Sequence, residues 1–176
     1  MEKLLVVVDM QNDFVNGSLG TPEAVGIVEN VVAKIKNHAG PVVYTRDTHP
    51  ENYLDTQEGK NLPVVHCVKG TPGWELNPVV QETVNGREIF DKPTFGSVAL
   101  AHYVAKLFQT KEIDAVELIG LCTDICVLSN AILLKAAEPE LKVSVDASCC
   151  AGVTPQSHGN ALEAMKMCQV EIVGDK

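Results

Sequence analysis

Positive charge is scarce in this sequence. Fourteen lysine and arginine residues stand against 23 aspartate and glutamate residues, which gives a formal net charge of −9 at pH 7. A chain with this balance is repelled by phosphate backbones and by anionic lipid headgroups. We therefore expect neither a nucleic acid nor a membrane surface as its partner.

Long apolar runs and dense cysteines are missing as well. The only candidate for a targeting or spanning segment, residues 4–8, stops at Asp9 and is far shorter than a signal-peptide core or a membrane helix. Six cysteines in 176 residues fall below the density of a disulfide-stapled secreted scaffold. The sequence thus predicts a cytoplasmic protein with reduced thiols. A cysteine with a function in such a protein would act through the reactivity of its thiol.

The sequence does contain an alternation of short β-branched runs with segments of helical period. This alternation is typical of βαβ units, so we predict an α/β fold: a three-layer sandwich with a central, mostly parallel sheet and helices on both faces. The length and the 45% hydrophobic content suit one domain over residues 1–176. Strands are predicted at 4–8, 42–45, 88–91, 116–119, 143–146 and 170–173, and helices at 22–35, 98–108, 124–137 and 155–167.

Polar residues cluster directly after the predicted strands, where ligands bind in open α/β sheets. Asp9 follows the first strand, residues 47–49 the second, Asp91 and Lys92 the short third strand, and residues 122–126 the fourth. The turn after the first strand is not glycine-rich and offers no phosphate cradle. The pattern therefore argues against a dinucleotide-binding or P-loop protein.

Cys126 is the candidate nucleophile. With Thr123 or Asp124 as N-cap, its sulfur would lie in the first turn of a helix, where unpaired N–H groups and the helix dipole favour thiolate over thiol. A small buried apolar residue is the alternative, and a redox pair with Cys122 is disfavoured because the spacing is not Cys-x-x-Cys.

Two other strand-end residues have both a catalytic and an ordinary interpretation. Asp9 is either a general base or a carboxylate that caps the next turn. Lys92 is either a cation that supports an active-site anion or a solvated surface lysine. Neither Asp9 nor Lys92 alone shows that the chain has a catalytic site.

A carboxylate and two imidazoles lie in an irregular stretch over residues 46–78. A loop of this length is uncommon in a compact domain unless it has a function or a metal that holds it. Asp47, His49 and His66 are ligand types that suit Zn²⁺, Fe²⁺ or Mn²⁺, and Glu58 is a candidate fourth ligand. The alternatives are histidines bonded to the backbone and a solvated glutamate.

These residues together resemble one family. Residues 8–14, Val-Asp-Met-Gln-Asn-Asp-Phe, look like the opening of the isochorismatase-like cysteine hydrolases, and residues 120–127, Gly-Leu-Cys-Thr-Asp-Ile-Cys-Val, resemble their nucleophile motif. Asp91 and Lys92 lie between them, where the family keeps its lysine. The resemblance runs from about residue 3 to 173. The metal-ligand set and residues 66–71 further resemble the nicotinamidase (pyrazinamidase) branch.

The resemblance implies a cysteine-dependent amidase that converts nicotinamide to nicotinate and ammonia through a thioester, as in NAD salvage. It implies three catalytic residues, Asp9, Lys92 and Cys126. It also implies an oxyanion hole made by the backbone N–H groups of Cys122 and Cys126, with a cis peptide at Leu121–Cys122.

The same resemblance implies a divalent metal, with Zn²⁺ expected before Fe²⁺ or Mn²⁺, whose ligands would be Asp47, His49, His66 and Glu58. The metal would orient the pyridine ring, and Phe14, Leu62 and Phe95 would line the substrate pocket. Leu62 departs from the aromatic residue that many nicotinamidases carry before the distal histidine, which leaves the exact amide open. The partner implied is a small-molecule amide, and a homo-oligomer is expected.

Three alternatives stay open at this point. The chain could be another amidase of the family with a non-pyridine amide or ureido substrate. It could be a metal-free hydrolase of an enol ether such as isochorismate, which is disfavoured because that chemistry needs no thiol. It could also be a catalytically silent binding subunit, which is disfavoured because every catalytic position carries the required residue.

Overall fold

Six strands form one parallel sheet in the computed structural model, which describes residues 2–174. Every strand pair is parallel, and the order across the sheet is β3-β2-β1-β4-β5-β6. The strands are β1 (Glu2–Val8), β2 (Val42–Asp47), β3 (Ile89–Lys92), β4 (Ile113–Leu121), β5 (Lys142–Ala151) and β6 (Glu171–Val173).

Eight α-helices lie around this sheet within the described residues. They are α1 (Asn12–Val15), α2 (Pro22–Gly26), α3 (Val28–Asn37), α4 (Gln57–Asn61), α5 (Pro78–Val84), α6 (Val98–Gln109), α7 (Leu128–Ala137) and α8 (Pro155–Met167). A 3₁₀ turn covers Tyr53–Asp55 and a π-helical turn covers Thr123–Val127. No helix within residues 2–174 has the length and apolar character needed to cross a bilayer.

The central strand β1 contributes to two separate cores because successive side chains point to opposite faces of a sheet. Leu4, Val6 and Val8 belong to the apolar cluster that contains residues of α6, α7 and α8. Leu5 and Val7 belong to the second cluster, with residues of α1, α2, α3 and α5. The predicted α/β sandwich with helices on both faces is therefore confirmed.

The strand order reverses its direction at β1. The chain runs from β1 outwards through β2 to β3, then returns to the other side of β1 and continues through β4 and β5 to β6. Ligands bind at such a switch point because the connections diverge there and leave a crevice beyond the carboxyl ends of the strands. Here the crevice lies between the ends of β1 and β4.

Gly120 is needed to bring these two strand ends together. It pairs with Val8, has a φ of 116°, and a Cβ on it would lie 2.1 Å from the Val8 carbonyl oxygen. Any other residue would push β4 away from β1 just before the segment that carries Cys126.

Two predicted helices differ from the observed ones. The single helix predicted over 22–35 is two helices, because Gly26, a poor helix former, ends α2 and Ile27 stands between α2 and α3. Val25 of the predicted apolar face is consequently 52% exposed. The helix predicted over 124–137 begins as the π-helical turn and becomes α-helical only at Leu128.

Candidate active site

Three strand ends bring Asp9, Lys92 and Cys126 into contact. Asp9 follows β1, Lys92 is the last residue of β3, and Cys126 lies in the π-helical turn that follows β4. The Lys92 ammonium nitrogen is 2.7 Å from Asp9 Oδ2 and 3.3 Å from Cys126 Sγ. All three side chains are buried, so this group of acid, ammonium and thiol is shielded from bulk water.

The Asp9 carboxylate sits among opposing influences. Burial raises the pKa of Asp9, while the Lys92 ammonium lowers it. The Thr45 hydroxyl donates a hydrogen bond of 2.6 Å to Asp9 Oδ1 and fixes the orientation of the carboxylate. Burial alone would lower the pKa of Lys92, but Asp9, Cys126 and Asp47 together raise it above its ordinary value, so Lys92 stays a cation.

The pKa of Cys126 does not follow the expectation for a cysteine at a helix start. Burial, followed by the negative charge of Asp9, raises the pKa of Cys126 well above its ordinary value, and Lys92 offsets this only in part. Burial and the Asp9 carboxylate therefore oppose formation of the thiolate at Cys126.

The predicted N-cap is also wrong. Neither candidate residue caps the turn that holds Cys126, which begins after Cys122 with no side-chain cap hydrogen bond. The Thr123 hydroxyl is instead paired with His158 Nδ1 at 2.8 Å, and the Asp124 carboxylate accepts the Val153 N–H. Both side chains fasten the turn to the chain after β5.

Four ligand-type residues converge beside this group. The ligand atoms of Asp47, His49, Glu58 and His66 all lie within 4.8 Å of one another. Asp47 Oδ2 is 2.8 Å from His49 Nε2 and 3.6 Å from His66 Nε2. His66 Nδ1 donates to the Val64 carbonyl at 2.8 Å, which leaves Nε2 as a lone-pair donor directed at the cluster. Two imidazoles and two carboxylates in this arrangement fit a divalent metal ion.

Asp47 is held as an anion at the centre of this cluster. Burial would raise the pKa of Asp47, but the neighbouring imidazoles of His49 and His66 and the charge of Lys92 keep it well below its ordinary value. Lys92 Nζ is also 3.4 Å from Asp47 Oδ1, so the ammonium links the thiol group to the metal-type cluster.

Gln11 and Tyr53 support the cluster, and the sequence analysis missed both. The buried Gln11 amide accepts from the Asp47 N–H at 2.7 Å and donates to the Asp47 carbonyl at 2.8 Å. The Tyr53 ring packs edge-on against His49 and His66, with centroids 4.8 and 5.0 Å away, and its hydroxyl donates to the Leu62 carbonyl at 2.8 Å. The polar Gln11 directly after a buried strand was the available signal; Tyr53 gave none.

A small apolar pocket joins the two groups. Its apolar walls are Phe14, Leu19, Leu62, Phe95 and Ile125, and its polar lining comes from Asp47, Glu58, His66, Cys122 and Cys126. The three predicted pocket residues therefore surround one cavity together with the thiol and part of the metal-type cluster. No lysine or arginine lines it within the described part of the chain.

The peptide bond between Leu121 and Cys122 is cis, as predicted. Cys122 and Cys126 both line the pocket. The role of their N–H groups as oxyanion donors stays a prediction.

The chain is similar to known proteins over most of its length. The sequence model of the isochorismatase domain matches residues 3–174. The chain is 27% identical to a nicotinamidase/pyrazinamidase of Mycobacterium tuberculosis, over 97% of this chain and 98% of that protein. It is also 27% identical to a nicotinamidase of Escherichia coli, over 94% of this chain and 90% of the relative.

Solved structures give the same result. A pyrazinamidase of Pyrococcus horikoshii in complex with zinc matches with a TM-score of 0.76 and 30% identity, over 99% of this chain and all of that chain. A nicotinamidase/pyrazinamidase from Bacillus subtilis matches with a TM-score of 0.79 and 28% identity, over 98% of this chain and all of that one. The prediction of a hydrolase is thus confirmed, and, with nearly its whole length matched by the domain model, the chain belongs to the isochorismatase family.

Proposed function

We propose that this protein hydrolyses nicotinamide to nicotinate and ammonia through a thioester on Cys126. The observation that carries the proposal is the contact of a buried carboxylate, ammonium and thiol at a pocket that Asp47, Glu58 and His66 also line. The similarity to nicotinamidases and pyrazinamidases supports the same activity.

Asp9 begins the reaction as general base. It takes the proton of the Cys126 thiol as the sulfur attacks the amide carbon, so the buried thiolate need not exist before attack. Lys92, 3.3 Å from the sulfur, stabilises the negative charge during this transfer. The N–H groups of Cys122 and Cys126 would receive the oxyanion that forms on the substrate.

Asp9 then acts as general acid. It passes its proton to the departing nitrogen, the carbon–nitrogen bond breaks, and ammonia leaves a thioester on Cys126. A water molecule that loses a proton to Asp9 attacks the thioester carbon. The carbon–sulfur bond breaks and the sulfur regains the proton from Asp9. The carboxylic acid product loses its remaining proton to water and leaves as nicotinate.

A divalent metal fits the cluster of Asp47, His49, Glu58 and His66, and it would supply a Lewis-acidic centre for the pyridine nitrogen of the substrate. The protein's own residues hold that cluster in place. Gln11 fixes the Asp47 backbone, and the Tyr53 ring limits rotation of both imidazoles. In this proposal the metal-type cluster orients the substrate ring, and the adjoining group of Asp9, Lys92 and Cys126 carries out the attack.

The pocket lining favours a neutral amide over an anionic substrate. A ureido acid or isochorismate carries carboxylates, and among the described pocket residues there is no lysine or arginine to pair with them. Leu62, an aliphatic residue where the family resemblance leads us to expect an aromatic one, supports a second candidate, namely another neutral amide.

Ammonia release from a panel of amides tests the proposal. The panel is nicotinamide, pyrazinamide, benzamide, which lacks the ring nitrogen, and a ureido acid. We expect nicotinamide to react at least 100-fold faster than benzamide and the ureido acid to be inert. Cys126→Ala should abolish release, whereas Cys168→Ala, at an exposed cysteine, should not change it.

Each other outcome has a definite meaning. Equal rates for nicotinamide and benzamide would remove the role of the ring nitrogen and favour the second candidate. Turnover by Cys126→Ala would overturn the thioester mechanism. No release from any amide by metal-loaded protein would overturn the proposed activity altogether.

A further inference from the structure

Asn130 on α7 makes three hydrogen bonds around the pocket without lining it. Its side chain is buried, with the residue 1% exposed. Its Oδ1 accepts the Ser97 N–H at 2.9 Å, and its Nδ2 donates to the Cys126 carbonyl at 2.8 Å and to the Phe95 carbonyl at 3.3 Å. One amide thus joins the segment of the nucleophile to the segment of a pocket wall.

Only an amide can make this set of bonds. The Ser97 N–H requires an acceptor, and the carbonyls of Cys126 and Phe95 require donors, so the orientation of the Asn130 amide is fixed by its partners. An aspartate of the same shape would turn a negative oxygen towards two carbonyl oxygens. An apolar residue would leave the same backbone groups without their partners.

The segment so held is the connection between β3 and α6. Lys92, at the end of β3, donates to the Thr94 carbonyl at 3.1 Å. Ser97, whose hydroxyl accepts the Leu100 N–H at 3.1 Å, caps α6. Phe95 lies between these two anchors, and its side chain lines the pocket while the residue is 47% exposed. Because the Phe95 ring is half-exposed, side-chain packing on its buried side is not enough to fix its position. Its position therefore depends on the backbone of Phe95 and Ser97, which Asn130 holds.

We propose that Asn130 is a positioning residue that holds the aromatic wall Phe95 at a fixed place relative to the Cys126 sulfur, and so sets the fit of flat aromatic substrates. The inference rests on the proposed function only in taking Cys126 as the nucleophile and the pocket as the substrate site. Asn130 itself touches no substrate. It acts through Phe95, and that dependence can be measured.

The test compares two alkylating reagents at Cys126, followed by mass spectrometry of the peptide that carries it. Iodoacetamide is small, whereas N-benzyl iodoacetamide must place a ring in the pocket. We expect Asn130→Asp to lower the ratio of the benzyl rate to the iodoacetamide rate at least fivefold, and Phe95→Ala to do the same. In the double variant the ratio should fall no further than in either single variant, because both changes remove the same contact between the Phe95 ring and the benzyl group.

Thr83→Val is the matched control. Thr83 is a buried residue of α5, away from the pocket, and its hydroxyl is hydrogen-bonded to the Tyr44 hydroxyl of β2. Loss of this bond should lower stability and leave the ratio unchanged. If Asn130→Asp does not fold, Asn130→Ser, which can keep only part of the set of bonds, takes its place with the same expectation. Circular dichroism verifies folding in each case.

An unchanged ratio in the folded Asn130 variant would overturn the proposal. It would also be overturned if the falls in the ratio caused by the Asn130 and Phe95 substitutions multiplied in the double variant. Failure of the proposed function is a separate result. It would appear as absence of ammonia release by the unaltered protein, whereas the alkylation ratio reports the place of Phe95 whichever amide the enzyme hydrolyses.

Discussion

Asp9 lies in one buried group with an ammonium and a thiol, and in the proposed mechanism its charge decides whether the thiol can react. The carboxylate is 2.7 Å from Lys92 Nζ and accepts the Thr45 hydroxyl at 2.6 Å. Burial raises the pKa of both Asp9 and Cys126. We therefore treat the proposed base and the proposed nucleophile as a pair.

Asp9→Asn should lower the rate of nicotinamide hydrolysis by about 10²–10⁴-fold, because the amide cannot accept the thiol proton. The measurement is kcat for ammonia release. Asp91→Asn is the matched control: Asp91 is an exposed neighbour of Lys92 and pairs with Arg46 outside the site. A kcat in Asp9→Asn within threefold of the unaltered enzyme would contradict the role of Asp9 as base.

The chemistry-bearing residues could be predicted from the sequence, whereas their supports could not. Asp9, Lys92 and Cys126 follow strands and lie in motifs, so their position and type both carried a signal. Asn130 lies in the first turn of α7, and its role depends on three backbone groups that only the folded chain brings near. The effect of burial, which raises the pKa of Cys126, was likewise out of reach because burial has no local sequence pattern.

At the scale of elements, helix α3 is fastened to the sheet by a partly buried cluster of charges. Lys34 of α3 pairs with Glu117 of β4 and with Asp146 of β5, the latter at 2.8 Å. Lys3 of β1 pairs with Glu117 at 2.9 Å. One lysine thus links a helix to two neighbouring strands.

Lys34→Met should lower the free energy of unfolding by about 1–3 kcal/mol at pH 7, because two carboxylates lose a charged partner. Lys34 lowers the pKa of Glu117 and Asp146 in the folded chain, although burial opposes it. Their contribution to stability is therefore present above the ordinary values of 4.5 and 3.8 and is lost as the pH falls through the lower folded values.

Urea unfolding at pH 7 and at pH 3 measures this effect. The difference between Lys34→Met and the unaltered protein should be full at pH 7 and smaller at pH 3. At the alkaline end, the pKa of Lys34 is raised to about 12, so its contribution is present below pH 10.5 and fades as the pH approaches 12. Lys36→Met, at an exposed lysine of the same helix, should change nothing. If the difference in the free energy of unfolding between the unaltered protein and Lys34→Met grew towards pH 3, the stabilising role of the Lys34 pairs with Glu117 and Asp146 would be contradicted.

Element types were easier to predict than element boundaries. β4 and β5 extend beyond the predicted strands because pairing with neighbours continues past their most hydrophobic residues. The short helix α4 and the 3₁₀ turn in the irregular stretch had no apolar period to reveal them. The π-helical turn at Thr123–Val127 likewise looks like the start of an ordinary helix in the sequence.

At the scale of the whole molecule, the site exists because the sheet is parallel and its order reverses at β1. Parallel strands bring their carboxyl ends to one edge, so residues as distant in sequence as Asp9 and Cys126 meet there. The alternation of strands and helices predicted this meeting. The strand order itself could not be predicted, because nothing local specifies on which side of β1 the chain returns.

The cluster of Asp47, His49, Glu58 and His66 should couple metal binding to the stability of the whole chain. Its ligands come from β2, α4 and the irregular stretch between β2 and α5, so they assemble only in the folded state. A metal that binds only that state adds about 2.7 kcal/mol to the free energy of unfolding when its concentration is 100 times its Kd. For a chain of this size we expect Tm to rise by about 5–10 °C.

Thermal unfolding with Zn²⁺, with Mn²⁺ and after treatment with a chelator measures the shift. His66→Ala should abolish it, because the cluster loses one of its two imidazoles. His102→Ala, at an exposed histidine on α6, should keep the full shift. An equal rise of Tm in His66→Ala and His102→Ala would mean that the metal binds elsewhere. Because this readout needs no substrate, it tests the metal site even if nicotinamide is not the amide that the enzyme hydrolyses.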